Sequence, residues 1–361
     1  MRVLFATPDP NRPGALADAL LARGLEWRVL SYRDPDETRQ VLRDHPVDAA
    51  VVDLATADAE ALLRHLLHTA PATARLLQAP STQDHAVLRL LALAHGLVEE
   101  NESVDAIAER LLALSALTRD LDDPVLRTRV GALTRLPGMP KLYLAVQRAL
   151  EQDDLDVDDV TALVARDPQV AARVLQLANS ALFGGSRGVA SLPLAVSRLG
   201  LRTLRQLVLA AELYGGGGPA SEVESIGRRS LMAAWLAPRL GPERGDPDLV
   251  ATAALLAGLG PLLALAGLGD TAAGGRAPEC DRGAAYLLAL WDLPAPLHQA
   301  VALQRAPHRG EAVHGTATAV HVATALAFDR PVDTEWLQRC GIAQHLPAWR
   351  ELADQVQRDA A

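Results

Sequence analysis

Only two cysteines, Cys280 and Cys340, stand in 361 residues. They lie far apart and fit no zinc spacing, which excludes a disulfide-built scaffold and a Cys-rich metal site. Two lone thiols suit a reducing setting, so the expected location is cytoplasmic. Aromatic residues make up 3% of the chain, so a core here must be built from Leu, Ala and Val, as in closely packed helices. No Lys/Arg run is present, and the net charge is −9. A free-standing nucleic-acid binder displaces phosphate counterions with a basic patch, so no nucleic-acid partner is expected. MRVLFATPDP at the start has no long apolar stretch behind its Arg and does not read as a signal peptide. The most apolar run, ALLAGLGPLLALAGLG (254–269), is broken by Gly and Pro and too short to span a bilayer. It reads as a buried helical segment, and no membrane partner is expected. No repeat of solenoid period is visible.

What is present divides in two. RVLFA (2–6), EWRVLSY (26–32), DAAVVDLA (48–55), RLLQA (75–79) and GLVEE (96–100) read as short strands. Helical segments over 13–24, 35–46, 58–69, 83–94 and 104–120 alternate with them, and Gly24 is a helix stop. Such alternation implies a parallel sheet covered on both faces. LDDP (121–124) reads as a polar turn, and 121–132 as a linker. Beyond it the period is helical throughout. Asp167-Pro168 and Ser191 are helix starts, Gly200 is a stop, and GGGGPASEVES (215–225) is a flexible loop. The fold class expected is therefore α/β plus all-α.

The first 120 residues resemble the receiver domain of response regulators, a flavodoxin-like fold, with VDAAVVDLA (47–55) as the matching text. The resemblance makes Asp53 the candidate phospho-acceptor, at the carboxyl end of a central strand where such sheets place their sites. The rest of a receiver's apparatus is degenerate. The acidic pair that would hold Mg²⁺ falls on Thr7 and Pro8, leaving only Asp9. The Thr/Ser slot falls on Ala79, and the Lys slot on about Glu100. One carboxylate is a poor site for a hard divalent cation, and a Glu would repel a phosphoryl group. The resemblance thus implies a pseudo-receiver that binds a partner or dimerises.

From 133 to 345 the chain resembles the HDOD domain, a helical relative of HD-type metal phosphohydrolases, with 346–361 left as a tail. The matching text is LTRLPGMPKLYLAVQRALEQ (133–152), VTALVARDPQVAARVLQLANSALFG (160–184) and VASLPLAVSRLGLRTLRQLVLAAEL (189–213). An active HD enzyme places a His, a His-Asp pair and an Asp around one or two metals that activate water. By the resemblance these slots fall on Arg229, on Ala257 and Gly258, and on Thr324. A guanidinium, a methyl group and a hydrogen cannot ligate a metal, and one Thr hydroxyl is a poor ligand. His298, His308, His314 and His321 lack the spacing of a zinc motif and read as packing or surface residues, although His314 and His321 could share a helix face. Asn179 and Ser180 read as local caps, with Leu182 and Phe183 as an alternative apolar anchor for a partner.

The implied function is a non-catalytic signal-transduction adaptor without a cofactor. Its expected partners are signalling proteins: a histidine kinase, a cyclic-dinucleotide enzyme or a regulator, with a homodimer also in view. The alternatives are an HD-type cyclic-dinucleotide phosphodiesterase and a second-messenger-binding regulator, the latter using Arg229 to hold a phosphate. A transcription factor is a further reading. Arg198, Arg202 and Arg205 lie on one helical segment, which reads as a solvated face.

Overall fold

Short apolar runs such as AAVVD cannot bury both sides of an extended chain alone, so they assemble edge to edge. In the computed structural model five of them form one parallel sheet: β1 (Arg2–Ala6), β2 (Arg28–Ser31), β3 (Ala49–Asp53), β4 (Ala74–Ala79) and β5 (Gly96–Glu99). The strand order is β2-β1-β3-β4-β5, the flavodoxin-like order of doubly wound sheets. The structure describes residues 1–31, 42, 45–80, 90, 93–121, 123–132, 140–150, 157–165, 167–178, 191–214, 220–240, 246–268, 277–291, 293–310 and 313–360. The helices expected at 35–46 and 83–94 fall largely outside these residues.

Side-chain alternation fixes what each face of the sheet covers. Leu4, Ala6, Ala50, Val52, Leu77 and Ala79 share a core with Leu62, Leu63 and Leu66 of α2 (Ala59–Thr69). Their neighbours Val3, Phe5 and Val51 are equally buried, and helices α1 (Arg12–Ala22) and α3 (Val104–Leu121) pack together. Gly24 ends α1 with φ 74°, and the Leu25 N–H reaches back to the Leu20 carbonyl, the closure that a left-handed residue permits.

The expected linker is not a linker. Asp123 accepts the Leu126 N–H at 2.8 Å and starts helix α4 (Pro124–Gly131), with Leu126 and Val130 buried. Its last residue is gripped by Arg75, which is 2% exposed at the start of β4. Arg75 donates through Nη2 to the Gly131 carbonyl at 3.0 Å and through Nε to the Leu93 carbonyl at 2.8 Å. Burial lowers its pKa to about 10. Residues Met1–Met139 with Ala285–Ala295 form one compact unit, so the first unit runs past residue 120.

The second unit, Pro140–Ala284 with Pro296–Ala361, is helical. Helices α5 (Lys141–Leu150), α6 (Val157–Ala165) and α7 (Pro168–Ala178) pack on α8 (Leu192–Tyr214). Asp167 and Ser191 cap as expected: Asp167 Oδ1 accepts the Val170 N–H at 3.1 Å, and Ser191 Oγ the Leu194 N–H at 3.4 Å. Gly200 breaks α8 at φ 78°, so two helical stretches meet there. Helices α9 (Ala220–Leu240), α10 (Pro247–Leu256) and α14 (Thr316–Ala327) form a second packed group. Between them in the chain come α11 (Leu259–Leu265), α12 (Ala277–Leu290) and α13 (Ala295–Leu303). The last helices are α15 (Thr334–Arg339) and α16 (Leu346–Ala360).

Four expectations need correction here. The expected tail is helix α16, which buries Ala353 and Val356. Much of the loop at 215–225 is helix: α9 begins at Ala220, and 215–219 lie outside the described residues. The apolar stretch Pro247–Leu265 is long enough to cross a membrane by length and composition, and is 72% buried in the structure. The expected solvated face holds for Arg198 and Arg202, which are exposed, but not for Arg205, whose side chain is 15% exposed; Arg202 and Arg205 both reach Asp248 Oδ2, at 3.3 and 3.4 Å.

Candidate functional site

Two of the four expected metal slots, Ala257 and Gly258, fall in the turn between α10 and α11, residues 257–260, whose sequence is Ala-Gly-Leu-Gly. A Cβ on Gly258 would stand 2.1 Å from Ser230 Oγ and 2.4 Å from the Tyr214 hydroxyl. Tyr214 ends α8 and is buried. Its hydroxyl donates to the Leu255 carbonyl at 2.6 Å, and burial holds its pKa well above the usual phenol range. A Cβ on Gly227 would stand 3.0 Å from the Tyr214 Cβ, at the opposite end of the same side chain. Two glycines therefore make room for one phenol. The place expected for a ligand-bearing aspartate is filled by a tyrosine side chain.

Arg229 is not at this place. The side chain facing Gly258 is the next residue, Ser230, whose hydroxyl donates to the Ile226 carbonyl at 2.8 Å. One helical residue is a turn of 100°, enough to carry Arg229 away from the junction. There it pairs with Asp329 at 2.9 Å, with its side chain 41% exposed. Its guanidinium is thus engaged by a carboxylate rather than turned to an empty pocket. Thr324 is fully buried, and its hydroxyl donates to the Val320 carbonyl at 2.7 Å. None of these atoms suits a divalent metal, whose ligands are carboxylates, imidazoles or thiolates with free lone pairs. Among the described residues, no group of three or more His, Cys, Asp or Glu side chains could hold a metal ion.

The far side of the junction is held by a network that the sequence does not announce. Gln304 Nε2 donates to the Ala257 carbonyl at 2.9 Å and to Asp281 Oδ1 at 3.0 Å. A Cβ on Gly260 would lie 2.3 Å from that same Asp281 oxygen. Asp281 is fully buried, with Oδ2 2.9 Å from Arg305 Nε. Burial pushes its pKa up to about 7, against the opposing pull of Arg305 and Arg330. Arg330 Nη2 donates to Gln304 Oε1 at 3.3 Å. His321 completes the shell. Its Nε2 accepts the Asp333 N–H at 3.0 Å, which leaves Nδ1 to donate to the Gln304 carbonyl at 2.8 Å. Burial lowers its pKa, so it sits neutral.

The remaining histidines are dispersed. His308 lies 3.6 Å from Asp333, and His314 Nε2 lies 2.7 Å from the Leu240 carbonyl. His314 precedes α14, so it does not share a helix face with His321. Asn179, Ser180, Leu182 and Phe183 lie outside the described residues.

In the first unit, Asp53 closes β3 as expected. Its Oδ2 accepts the Thr7 hydroxyl at 3.2 Å, and its Oδ1 accepts the Ala55 N–H at 2.9 Å. Thr7 in turn accepts the Asp9 N–H at 3.3 Å, while the Asp9 carboxylate accepts from the Asn11 N–H. Both oxygens of Asp53 are thus occupied by neutral donors of the chain itself. Ala79 is buried at the end of β4, and Glu100 follows β5. Gln78 bridges β4 to that end by donating to the Glu100 carbonyl at 2.9 Å.

Residues 136–279 match the family model of the HDOD domain. This stretch is an HDOD domain. The junction filled by Tyr214 lies inside it. An uncharacterized protein of Treponema pallidum (strain Nichols) is 25% identical over 175 residues. That match takes in 46% of this chain and only 33% of the relative's length. A solved structure from Shewanella amazonensis SB2B, provisionally named a phosphohydrolase, is 23% identical with a TM-score of 0.48, covering 68% of this chain and 98% of its own. An HDOD domain protein of unknown function from Geobacter sulfurreducens is 19% identical with a TM-score of 0.43, covering 69% and 99%. The MmoQ response regulator of Methylococcus capsulatus str. Bath is 22% identical with a TM-score of 0.33, covering 60% and 98%.

Proposed function

We propose that the chain is a non-catalytic signal-transduction adaptor, in which a receiver-like unit takes an input by binding and the HDOD unit delivers the output by contact. One observation carries this reading. Tyr214 occupies the space beside Gly258 where an HD enzyme needs a metal-binding carboxylate. Water activation by that mechanism requires one or two metals held by imidazoles and carboxylates. Ala257, Gly258 and Thr324 offer no such atoms, and Ser230 replaces any ligand on α9.

The receiver-like unit is read as a pseudo-receiver. Asp53 keeps its position, but a Thr hydroxyl fills one oxygen, and no Lys follows β5 to hold a phosphoryl group. Its output partners are cytoplasmic signalling proteins: a histidine kinase, a cyclic-dinucleotide enzyme or a regulator, met by the chain as a monomer or a homodimer. The test combines two measurements on the full-length protein. Affinity capture with a tagged chain is expected to retain a signalling protein whose binding survives chelators. Metal analysis and phosphodiester assays are expected to find no stoichiometric Fe, Mn or Zn and no turnover. Bound transition metal with turnover of a cyclic dinucleotide would replace this reading with the phosphodiesterase one.

A further inference from the structure

A cleft lies in the first unit, at the end of the sheet opposite Asp53. It has a volume of about 670 Å³ and opens where β1, β3 and β4 begin, beside Arg2, Asp48 and Thr73. Its far wall is α4, the helix that sequence patterning reads as a linker. That wall is fixed at both ends. Asp123 caps its start, and at its end Gly131 packs so closely on Pro71 that a Cβ would stand 1.7 Å from the Pro71 carbonyl oxygen. Arg75 clamps the same two backbone groups, donating to Gly131 at 3.0 Å and to Pro71 at 3.3 Å. One helical turn before Gly131, on the same face of α4, stands Arg127, which lines the cleft.

The polar groups around the cleft are unevenly satisfied. The Thr69, Thr73 and Thr128 hydroxyls all donate to backbone carbonyls of the chain. Asp48 Oδ2 already accepts the Arg2 N–H at 2.8 Å. Arg127 is different: its Nε is buried and has no hydrogen-bond partner. Buried guanidinium donors are normally satisfied, so an unpartnered Nε on a side chain that lines the cleft marks a guanidinium whose fork the chain's own groups leave incompletely paired. Arg2 and Arg127 line the cleft with a single carboxylate, Asp48, and Arg2 Nη1 already donates to the Pro46 carbonyl at 3.4 Å. We propose that this cleft binds a small organic oxyanion, a phosphate- or carboxylate-bearing molecule up to mononucleotide size, with Arg127 as its charge-pairing residue. This inference is independent of whether the HDOD unit is catalytic.

The full-length chain would be titrated calorimetrically with inorganic phosphate, citrate and AMP at constant ionic strength. At least one is expected to bind one-to-one with a Kd of about 1 mM or tighter, and Arg127→Gln to weaken it about tenfold or more. A phosphate or AMP response identifies the phosphate class, and a citrate response the carboxylate class. Should Arg127→Gln fail to fold, Arg127→Lys keeps the charge but loses the planar fork, and is expected to give a smaller loss. Hydrogen exchange on the unmodified chain supplies a second readout, with slowed exchange expected at 46–48 and 69–73 under saturating ligand. The proposal is overturned if none of the three probes binds below about 10 mM. Affinity within twofold of wild type in the Arg127 variants, or unchanged exchange along the cleft walls, overturns it equally.

Discussion

Placing one methyl group at Gly258 tests whether Tyr214 really fills the old metal slot. Gly258 has φ −66° and ψ −11°, which any residue can adopt. By backbone preference alone, Gly258→Ala should stabilise by about 0.5–1 kcal/mol. The new Cβ, however, would stand 2.1 Å from Ser230 Oγ and 2.4 Å from the Tyr214 oxygen. Ser230 can rotate its hydroxyl away. Tyr214 is less free to retreat, because Gly227 of α9 packs close against its Cβ and Cγ and its hydroxyl is tied to Leu255 at 2.6 Å. Overpacking of this kind costs about 1–3 kcal/mol, so the net expectation is a loss of about 1–2 kcal/mol. In a Tyr214→Phe, Ser230→Ala background both offending oxygens are gone and the ring Cζ remains, at 3.1 Å, so the same substitution should cost clearly less than in the wild-type background. The assay is urea unfolding of all four proteins by fluorescence of Trp235, Trp336 and Trp349, which report on the second unit. If Gly258→Ala is as stable as wild type in the first background, the phenol is elsewhere and the case against metal binding collapses.

Three further outcomes are expected. Asp281 has its pKa raised to about 7 by burial, so the folded state binds its proton more tightly than the unfolded chain does. Its contribution to stability is full below pH of about 4 and is lost as pH rises to about 7, at up to about 1.4 kcal/mol per unit. The stability difference between wild type and Asp281→Asn should therefore fall across that window and flatten above it; parallel curves would show that Asp281 stays ionised. Arg75→Met removes a buried guanidinium that satisfies the Leu93 and Gly131 carbonyls, and should cost about 3 kcal/mol or more. Limited proteolysis should then cut first near α4, whereas an uncut α4 would mean that Arg75 is not its anchor. Treatment with acetyl phosphate should leave the intact mass unchanged, since Asp53 has its oxygens engaged by Thr7 and Ala55. A gain of one phosphoryl group, absent in Asp53→Ala, would restore a working receiver.

Features of this chain that depend on neighbouring residues were legible in its sequence. Gly24, Asp167, Ser191 and Gly200 act at the helix ends assigned to them, because caps and stops are made by groups a few bonds away. The strands were legible because apolar runs of this length have few other places to go. The same local chemistry also shows where the reading slipped. Asp123-Pro124 carries the helix-start signal seen at Asp167-Pro168, and the structure uses it so, as it does Asp246-Pro247. Treating LDDP as a turn hid α4, and with it a wall of the cleft.

The node around residues 257–260 was not legible, and the reason is geometric. Tyr214 precedes Gly258 by more than a whole helix, and Asp281 and Gln304 come from segments still further along. No spacing rule links them. Ser230 and not Arg229 faces Gly258, a difference of one position that rotates a side chain by about 100°. What the sequence does hold is the complement of those side chains: three glycines, at 227, 258 and 260, each placed where a Cβ would crowd Tyr214, Ser230 or Asp281. The turn presents bare backbone, so that a phenol and a carboxylate can close on it from two sides. On the adaptor reading proposed above, the space that a metal site would need is taken by packing, since an aspartate at position 258 has no room while the Tyr214 ring stays.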